Sequence, residues 1–213
     1  HCSDWDFLLA RAEVNGRLVN VVDGTVAVKA PVTSGEPVLE LLYGRDIIAF
    51  QADIDARVQQ GNVTARAWDA STQAAVEAEA AQAALGLQGN LDGATLASVI
   101  GPDSLLLQAG GQADSASMTA WAQACQQRAE LARVRGRVSF QGSALVLPGA
   151  LVELKGVGAR FEGKAWLGAV THRVADGDWV TEAEFGLDPE WFVARHDVAA
   201  LPAGGLLPAV QGL

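Results

Sequence analysis

Residues 47–58, Ile47-Ile48-Ala49-Phe50-Gln51-Ala52-Asp53-Ile54-Asp55-Ala56-Arg57-Val58, alternate in character. Ile48, Phe50, Ala52, Ile54, Ala56 and Val58 fall on one side of an extended chain, and Ala49, Gln51, Asp53, Asp55 and Arg57 on the other, because successive side chains of a strand point to opposite faces. One apolar and one polar face is expected of an antiparallel sheet with a wet side. Gln59-Gln60-Gly61-Asn62 turns the chain, and a second strand is predicted from Val63 to about Asp69.

Upstream, residues 3–15 read as a helix. Ser3 is an N-cap, and Asp6 three residues on completes a capping box with Asp in place of Glu. Trp5, Leu8, Leu9 and Ala12 share one face, and Asn15-Gly16 supplies a left-handed stop. Asp23-Gly24 between the apolar runs Leu18–Val22 and Thr25–Lys29 signals a hairpin, and Pro31–Pro37 is a loop.

Downstream, residues 70–112 are rich in Ala, Gln and Gly without sustained alternation and read as an insertion of small helical or irregular pieces that leaves through Gly110-Gly111. Residues 115–135 are a predicted helix with Met118, Trp121, Ala122, Cys125, Ala129 and Ala132 on one face. Gln126, Gln127, Glu130 and Arg133 mark its opposite, polar face, Arg133 and Arg135 complement its dipole, and Gly136 ends it. Strands are then predicted at about 137–141, 144–147, 150–155, 164–175 and 178–187, punctuated by Gln141-Gly142, Pro148-Gly149 and Asp176-Gly177-Asp178. The last two form a long hairpin with Thr181, Ala183, Phe185 and Leu187 on one face. The tail 188–213 reads as a loop with Pro189, Pro202 and Pro208.

Strands dominate and the parallel βαβ rhythm is absent, which gives an α+β, mainly β fold with an antiparallel barrel or curled sheet and a few flanking helices. The expected organisation is a helix-plus-hairpin subdomain at 1–45, a barrel from 46–69 and 113–190, the insertion 70–112 and a linker at 191–213.

The 213 residues are half apolar, a globular composition, and the formal net charge is −10. Acidic balance argues against a grip on nucleic-acid phosphates, and no polybasic patch is present for anionic lipid. No apolar run reaches the roughly 20 residues that span a bilayer. His1-Cys2-Ser3-Asp4 has neither a basic n-region nor an apolar h-region, and a fragment of a longer protein is expected.

A search for chemistry yields no catalytic, cofactor-binding or metal residue. Nucleophile-elbow, phosphate-loop and zinc-helix motifs are missing. Gly156-Val157-Gly158 precedes a strand and reads as a turn. Asp53 with Asp55, and Glu182 with Glu184, share a face of a predicted strand; such pairs can serve glycoside hydrolysis or a hard cation, but an i, i+2 spacing is also what a solvated strand face looks like. Asp4 and Asp6 suit a helix N-terminus. His172 reads as a packed structural residue, Cys125 as a buried free thiol and Cys2 as exposed, with no metal-type Cys partner for either. The scattered tryptophans Trp5, Trp68, Trp121, Trp166, Trp179 and Trp191 read as core.

Two stretches resemble a known family. Cys2-Ser3-Asp4-Trp5-Asp6-Phe7-Leu8-Leu9-Ala10-Arg11-Ala12-Glu13, followed by Asn15-Gly16, resembles the N-terminal signature of VgrG spike proteins and phage late-control D proteins. Leu147–Leu154, Gly156-Val157-Gly158, Phe161-Glu162-Gly163, Ala169–Val174 and Trp179–Ala183 resemble the strand-and-glycine block of the same family. The resemblance covers about half the chain. It implies a non-enzymatic hub of a contractile injection machine (a phage baseplate or a type VI secretion-like system), trimeric in the intact protein. It also implies a ring that joins tail tube to membrane-piercing spike, with tube and baseplate proteins and a spike tip or effector as partners. No cofactor, nucleic acid or membrane-spanning segment is implied, and the protein would reside in the bacterial cytoplasm or in an assembled particle. Residues 191–213, with Leu206–Leu213, would lead to an OB module that the sequence does not contain. A spike-associated cell-wall hydrolase, or a carbohydrate-binding module built on exposed tryptophans, is the alternative.

Overall fold

Ile47–Ile54 is a strand (β4), but its register shifts between Ile47, opposite Phe140, and Ala49, opposite Ser139. Ile48, expected inward, is therefore extruded at this bulge and lies exposed, as an extra residue in one strand must. Beyond it Phe50, Ala52 and Ile54 face the core as alternation requires. The strand stops at Ile54, so Ala56 and Val58 belong to a turn. This computed structural model describes residues 2–100, 102–111 and 113–196; the expected lead-in at 206–213 and most of the linker lie outside them.

The first helix, α1 (Asp4–Val14), carries the full capping box: Asp6 N donates to Ser3 Oγ at 3.1 Å, and Ser3 N to Asp6 Oδ2 at 3.4 Å. Its buried residues are Ala10, Ala12 and Val14, while Trp5 is 45% exposed. The first turn thus stands off the body, and the tryptophan is not a core residue. β1 (Leu18–Val22) and β2 (Thr25–Lys29) pair as the expected hairpin, with Asp23 and Gly24 at positive φ of 49° and 74°, as a type I′ turn needs.

β4 is one edge of a six-stranded sheet of order β3-β9-β10-β11-β8-β4. Its other members are β3 (Leu39–Leu42), β8 (Val134–Gln141), β9 (Leu151–Lys155), β10 (Gly163–Ala175) and β11 (Asp178–Phe185). All neighbours are antiparallel except β3 and β9. The two edge strands, β3 and β4, are consecutive in sequence and joined only by Tyr43–Asp46. A flat six-stranded sheet would be about 24 Å wide at about 4.8 Å per gap, whereas five residue steps reach at most about 18 Å. The sheet therefore curls, and Tyr43 bridges Ile47 where its edges meet. Asp46 fixes the link: its carboxylate accepts from Leu42 N at 2.9 Å and pairs with Arg45 at 2.8 Å, and Gly44 takes φ 84°.

Inside the curl lie Leu41, Val134, Val138, Phe140, Val146, Val152, Leu154, Ala165, Leu167, Ala183 and Phe185. Val146 comes from 142–150, where a strand at 144–147 was expected. No strand forms there; a loop drops Val146 into the core and leaves Leu145 and Leu147 exposed, which imitates strand alternation. Val157 and Phe161 pack on the same core, and Glu162 Oε1 accepts from Gly156 N at 2.8 Å, so the glycine block closes a turn.

The strand expected at Val63–Asp69 exists as β5 (Asn62–Asp69) but joins a separate three-stranded sheet, order β6-β5-β7. The turn before it is tied elsewhere: Gly61 N and Asn62 N donate to Pro102 O and Asp103 O, and Gln59 Nε2 to Ala129 O. Residues 70–112 supply the partners, β6 (Ala74–Ala80) antiparallel and β7 (Ser104–Gln108) parallel, together with α2 (Gly93–Ile100). The stretch is thus regular structure around β5. α3 (Ser115–Ala132) covers this sheet with Met118, Trp121, Ala122 and Cys125. It ends before Gly136, which sits within β8. Its supposed polar face is also covered: Gln126, Glu130 and Arg133 are all buried. Arg133 donates to Glu130 Oε1 at 3.0 Å, Leu91 O at 2.5 Å and Gln88 O at 2.8 Å, which holds the 88–91 loop on the helix end.

Gly136 lies where β8 packs closely on β4. A Cβ there would run into Gln51 O and the Phe185 ring. Gly136→Ala is expected to lower unfolding stability by about 2 kcal/mol or more, read as a lower urea midpoint with circular dichroism. An unchanged midpoint would show that β4 and β8 separate more easily than their register implies.

Candidate functional site

The residues singled out for chemistry are not brought together. Asp53 is exposed on the outer face of β4, while Asp55 follows the strand and pairs with Arg57 at 2.9 Å and Arg135 at 3.7 Å. The hydrogen bonds from Arg57 hold the Asp55 carboxyl below the usual carboxylate range, against the opposing effect of burial. Glu182 and Glu184, neighbours on β11, both reach Arg137 of β8, at 4.0 and 3.2 Å. The geometry makes Asp55, Glu182 and Glu184 ion-pair partners of arginines, the last two across the β8–β11 face. His172 Nδ1 and Thr181 Oγ1 share a hydrogen bond at 2.9 Å, and the imidazole meets Trp179 edge-on at 5.8 Å. Cys125 is buried, and burial pushes its thiol up to about 11, which keeps it protonated at neutral pH and a poor nucleophile. Cys2 is half-buried. Among the described residues no group of three His, Cys, Asp or Glu could hold a metal ion. No helix there is long and apolar enough to cross a membrane.

Trp121 and Trp166 are core residues, Trp179 and Trp191 are half-buried, and Trp5 and Trp68 are exposed. The exposed pair sits on different elements, α1 and β5.

Sequence reading missed a junction built around Glu13 and Arg128. Arg128 of α3 is buried and donates from Nη1 to Glu13 Oε1 at 2.9 Å, from Nε to Pro189 O at 3.2 Å and from Nη2 to Glu190 O at 2.6 Å. The other Glu13 oxygen accepts from Phe192 N at 2.7 Å. The guanidinium also stacks over the Trp191 ring, 5.2 Å from its centroid, a cation–π contact. Trp191 precedes a short helix, α4 (Phe192–Arg195), where a linker was expected. Gly16, at φ 62°, lets the end of α1 approach α3: a Cβ there would meet Gln127 Oε1 at 2.8 Å. Glu13 and Gly16 both belong to the N-terminal signature, so that signature encodes this junction. A charged residue on each of two helices gave the sequence signal, and such a residue also fits a solvated face.

One apolar surface stands out. On the β1–β2 hairpin Val19 faces Val28 and Val21 faces Val26. Val21, Val26 and Val28 are exposed. A two-stranded hairpin is marginal alone, and a valine ladder in water is the kind of patch that an assembly covers.

The fold, a curled sheet with a helix-backed side sheet, is similar to that of two solved tail proteins. The 43 kDa tail protein of prophage MuSo2 from Shewanella oneidensis superposes with TM-score 0.62 at 14% identity, over 85% of this chain and 54% of that one. A tail protein from Neisseria meningitidis MC58 superposes with TM-score 0.57 at 15% identity, over 89% and 55%. The chain therefore spans about half the length of the tail proteins whose fold it shares. By sequence the chain belongs to the Alg8 N-terminal domain family, which matches residues 1–176. No curated protein matches it.

Asp55→Asn tests whether the acids act as ion-pair partners. The Asp55 pKa is lowered in the folded protein, so its stabilisation is complete above the unfolded value near 4 and is lost as pH falls through the folded value. The variant is expected to be about 0.5–1.5 kcal/mol less stable at pH 7, with the gap closing on acidification from pH 5 to pH 2 in urea titrations. A gap that widened instead would contradict this role.

Proposed function

We propose that the protein is a structural component of a tail or tail-like injection machine, and in finer detail a hub of the VgrG and late-control D kind. The observation that carries this is the shared fold: two tail proteins superpose over 85% and 89% of the chain. The N-terminal signature and the glycine block support the narrower reading, because each falls where the fold needs those residues. Glu13 and Gly16 form the α1–α3 junction, and Gly156, Phe161 and Glu162 form the turn that enters β10.

In this reading the protein works through surfaces. Three copies form a ring between tail tube and spike, with tube and baseplate proteins on one side and a spike tip or effector on the other. It is assembled in the bacterial cytoplasm, stays in the particle, and leaves the cell when the machine fires. Exposed valines on the hairpin fit such a role, since apolar patches of subunits are covered on assembly. Asp55 pairs with Arg57, and Glu182 and Glu184 share Arg137, so the outer sheet face is polar, as a contact face between rings can be.

Light scattering on the intact protein across a concentration series is expected to give three times the chain mass. A monomer at every concentration would overturn the trimeric ring.

A further inference from the structure

We propose that residues 188–196 form a strap, latched by the Glu13–Arg128 ion pair, that opens as a unit while the curled sheet and α3 stay folded. Leu187 is tied to the body by its backbone, Leu187 N donating to Leu131 O at 3.0 Å. From Asp188 onward the attachment changes in kind. Three hydrogen bonds tie this segment to the side chains of Glu13 and Arg128: Arg128 donates to Pro189 O and Glu190 O, and Glu13 accepts from Phe192 N. The other bonds of the segment are internal, Glu190 N to Asp188 Oδ1 at 2.9 Å, Arg195 Nη1 to Asp188 Oδ2 at 3.1 Å, and the turn of α4. The segment therefore holds its own shape and meets the body through the Glu13–Arg128 pair and the packed Trp191 ring, whereas β8 and β11 beside it are held by continuous ladders. Segments with few ties open at lower free energy than sheet cores.

The latch is all-or-none. Side-chain exposure is 8% for Arg128 and 14% for Glu13, and separating a buried pair leaves each charge without its partner. Losing Glu13 loosens the Phe192 amide and Arg128 together, and with Arg128 go Pro189, Glu190 and the stacked Trp191. Trp191 packs against the core under α3, so the open state exposes an indole and the wall it covered. That wall borders a cavity of about 830 Å³ whose lining includes Cys125, Arg128, Pro189, Glu190, Trp191 and Ala194. The strap is one side of this cavity, and Cys125, 7% exposed, lies in its lining. Opening therefore widens this cleft and bares the part of its α3 floor, Cys125 included, that the strap now lies against.

Cys125 reports the motion directly. With Cys2 replaced by Ser, it is the only thiol in the chain. Its labelling by an aromatic disulfide at pH 8 is to be followed from zero urea to the start of unfolding. A strap that opens locally gives a rate almost independent of urea in this range, since little surface is exposed. Glu13→Gln removes the charge, and losing a charge-assisted bond is expected to raise that rate about tenfold or more with the far-ultraviolet circular dichroism unchanged. A rate that climbs with the full urea slope of global unfolding, or one that Glu13→Gln leaves unaltered in a folded variant, overturns the strap. Should the variant fail to fold, the urea dependence of the Cys2→Ser protein decides alone.

Discussion

Two edge strands of one sheet, β3 and β4, follow each other in the chain with only Tyr43–Asp46 between them, and most of the molecule is arranged around the curl that this short link imposes. Closure wraps one apolar face around Phe140, Phe185 and their neighbours and turns the other toward water. It also brings β4 so near β8 that only a glycine fits at 136. Because α3 runs into β8 through the single residue Arg133, the curled sheet sets the direction of the helix as well. The helix then lies between the curled sheet, the side sheet and the C-terminal segment, and is buried on nearly every side.

That placement explains the unusual number of buried polar groups along α3. Gln126, Arg128, Glu130 and Arg133 are all buried, and each has work assigned by its neighbours. Gln126 donates to Gly61 O and Ala80 O at the side sheet. Arg133 holds the 88–91 loop, and Arg128 joins α1 to the segment after β11. Burial raises the pKa of Glu130, with Arg133 opposing the rise. Polar groups of this kind add little net stability but are costly to leave unpaired. They therefore specify how loops and termini dock, while the apolar core supplies the drive to fold.

Much of this was legible in the residues. The helix at 4–14 with its capping box, the Asp23-Gly24 hairpin, the alternation through Phe50, Ala52 and Ile54, and the long hairpin of β10 and β11 all follow from local pattern, and the structure has them. The failures share a cause: local pattern does not say what covers a surface. The inward side of β6 carries Val76, Ala78 and Ala80 between glutamates, an alternation too weakly apolar to stand out among alanines. The polar side of α3 looked solvated because the second layer upon it comes from residues 88–91 and 188–192, distant in sequence. Ala144–Leu147 looked like a strand because a loop that buries one valine has the same period. Of the candidate acids, Glu182 and Glu184 share Arg137 of the neighbouring strand, a partner distant in sequence, while Asp55 pairs with Arg57 in the turn after β4.

The proposed tail role rests on the fold shared with two tail proteins, and it makes a claim about where the protein sits. Immunogold electron microscopy of purified tail-like particles, using an antibody raised against this chain, tests that role most directly. Label at one end of the tail, where tube meets spike, is the expected result. Particles that assemble normally and carry no label would contradict a structural place for the protein in the tail.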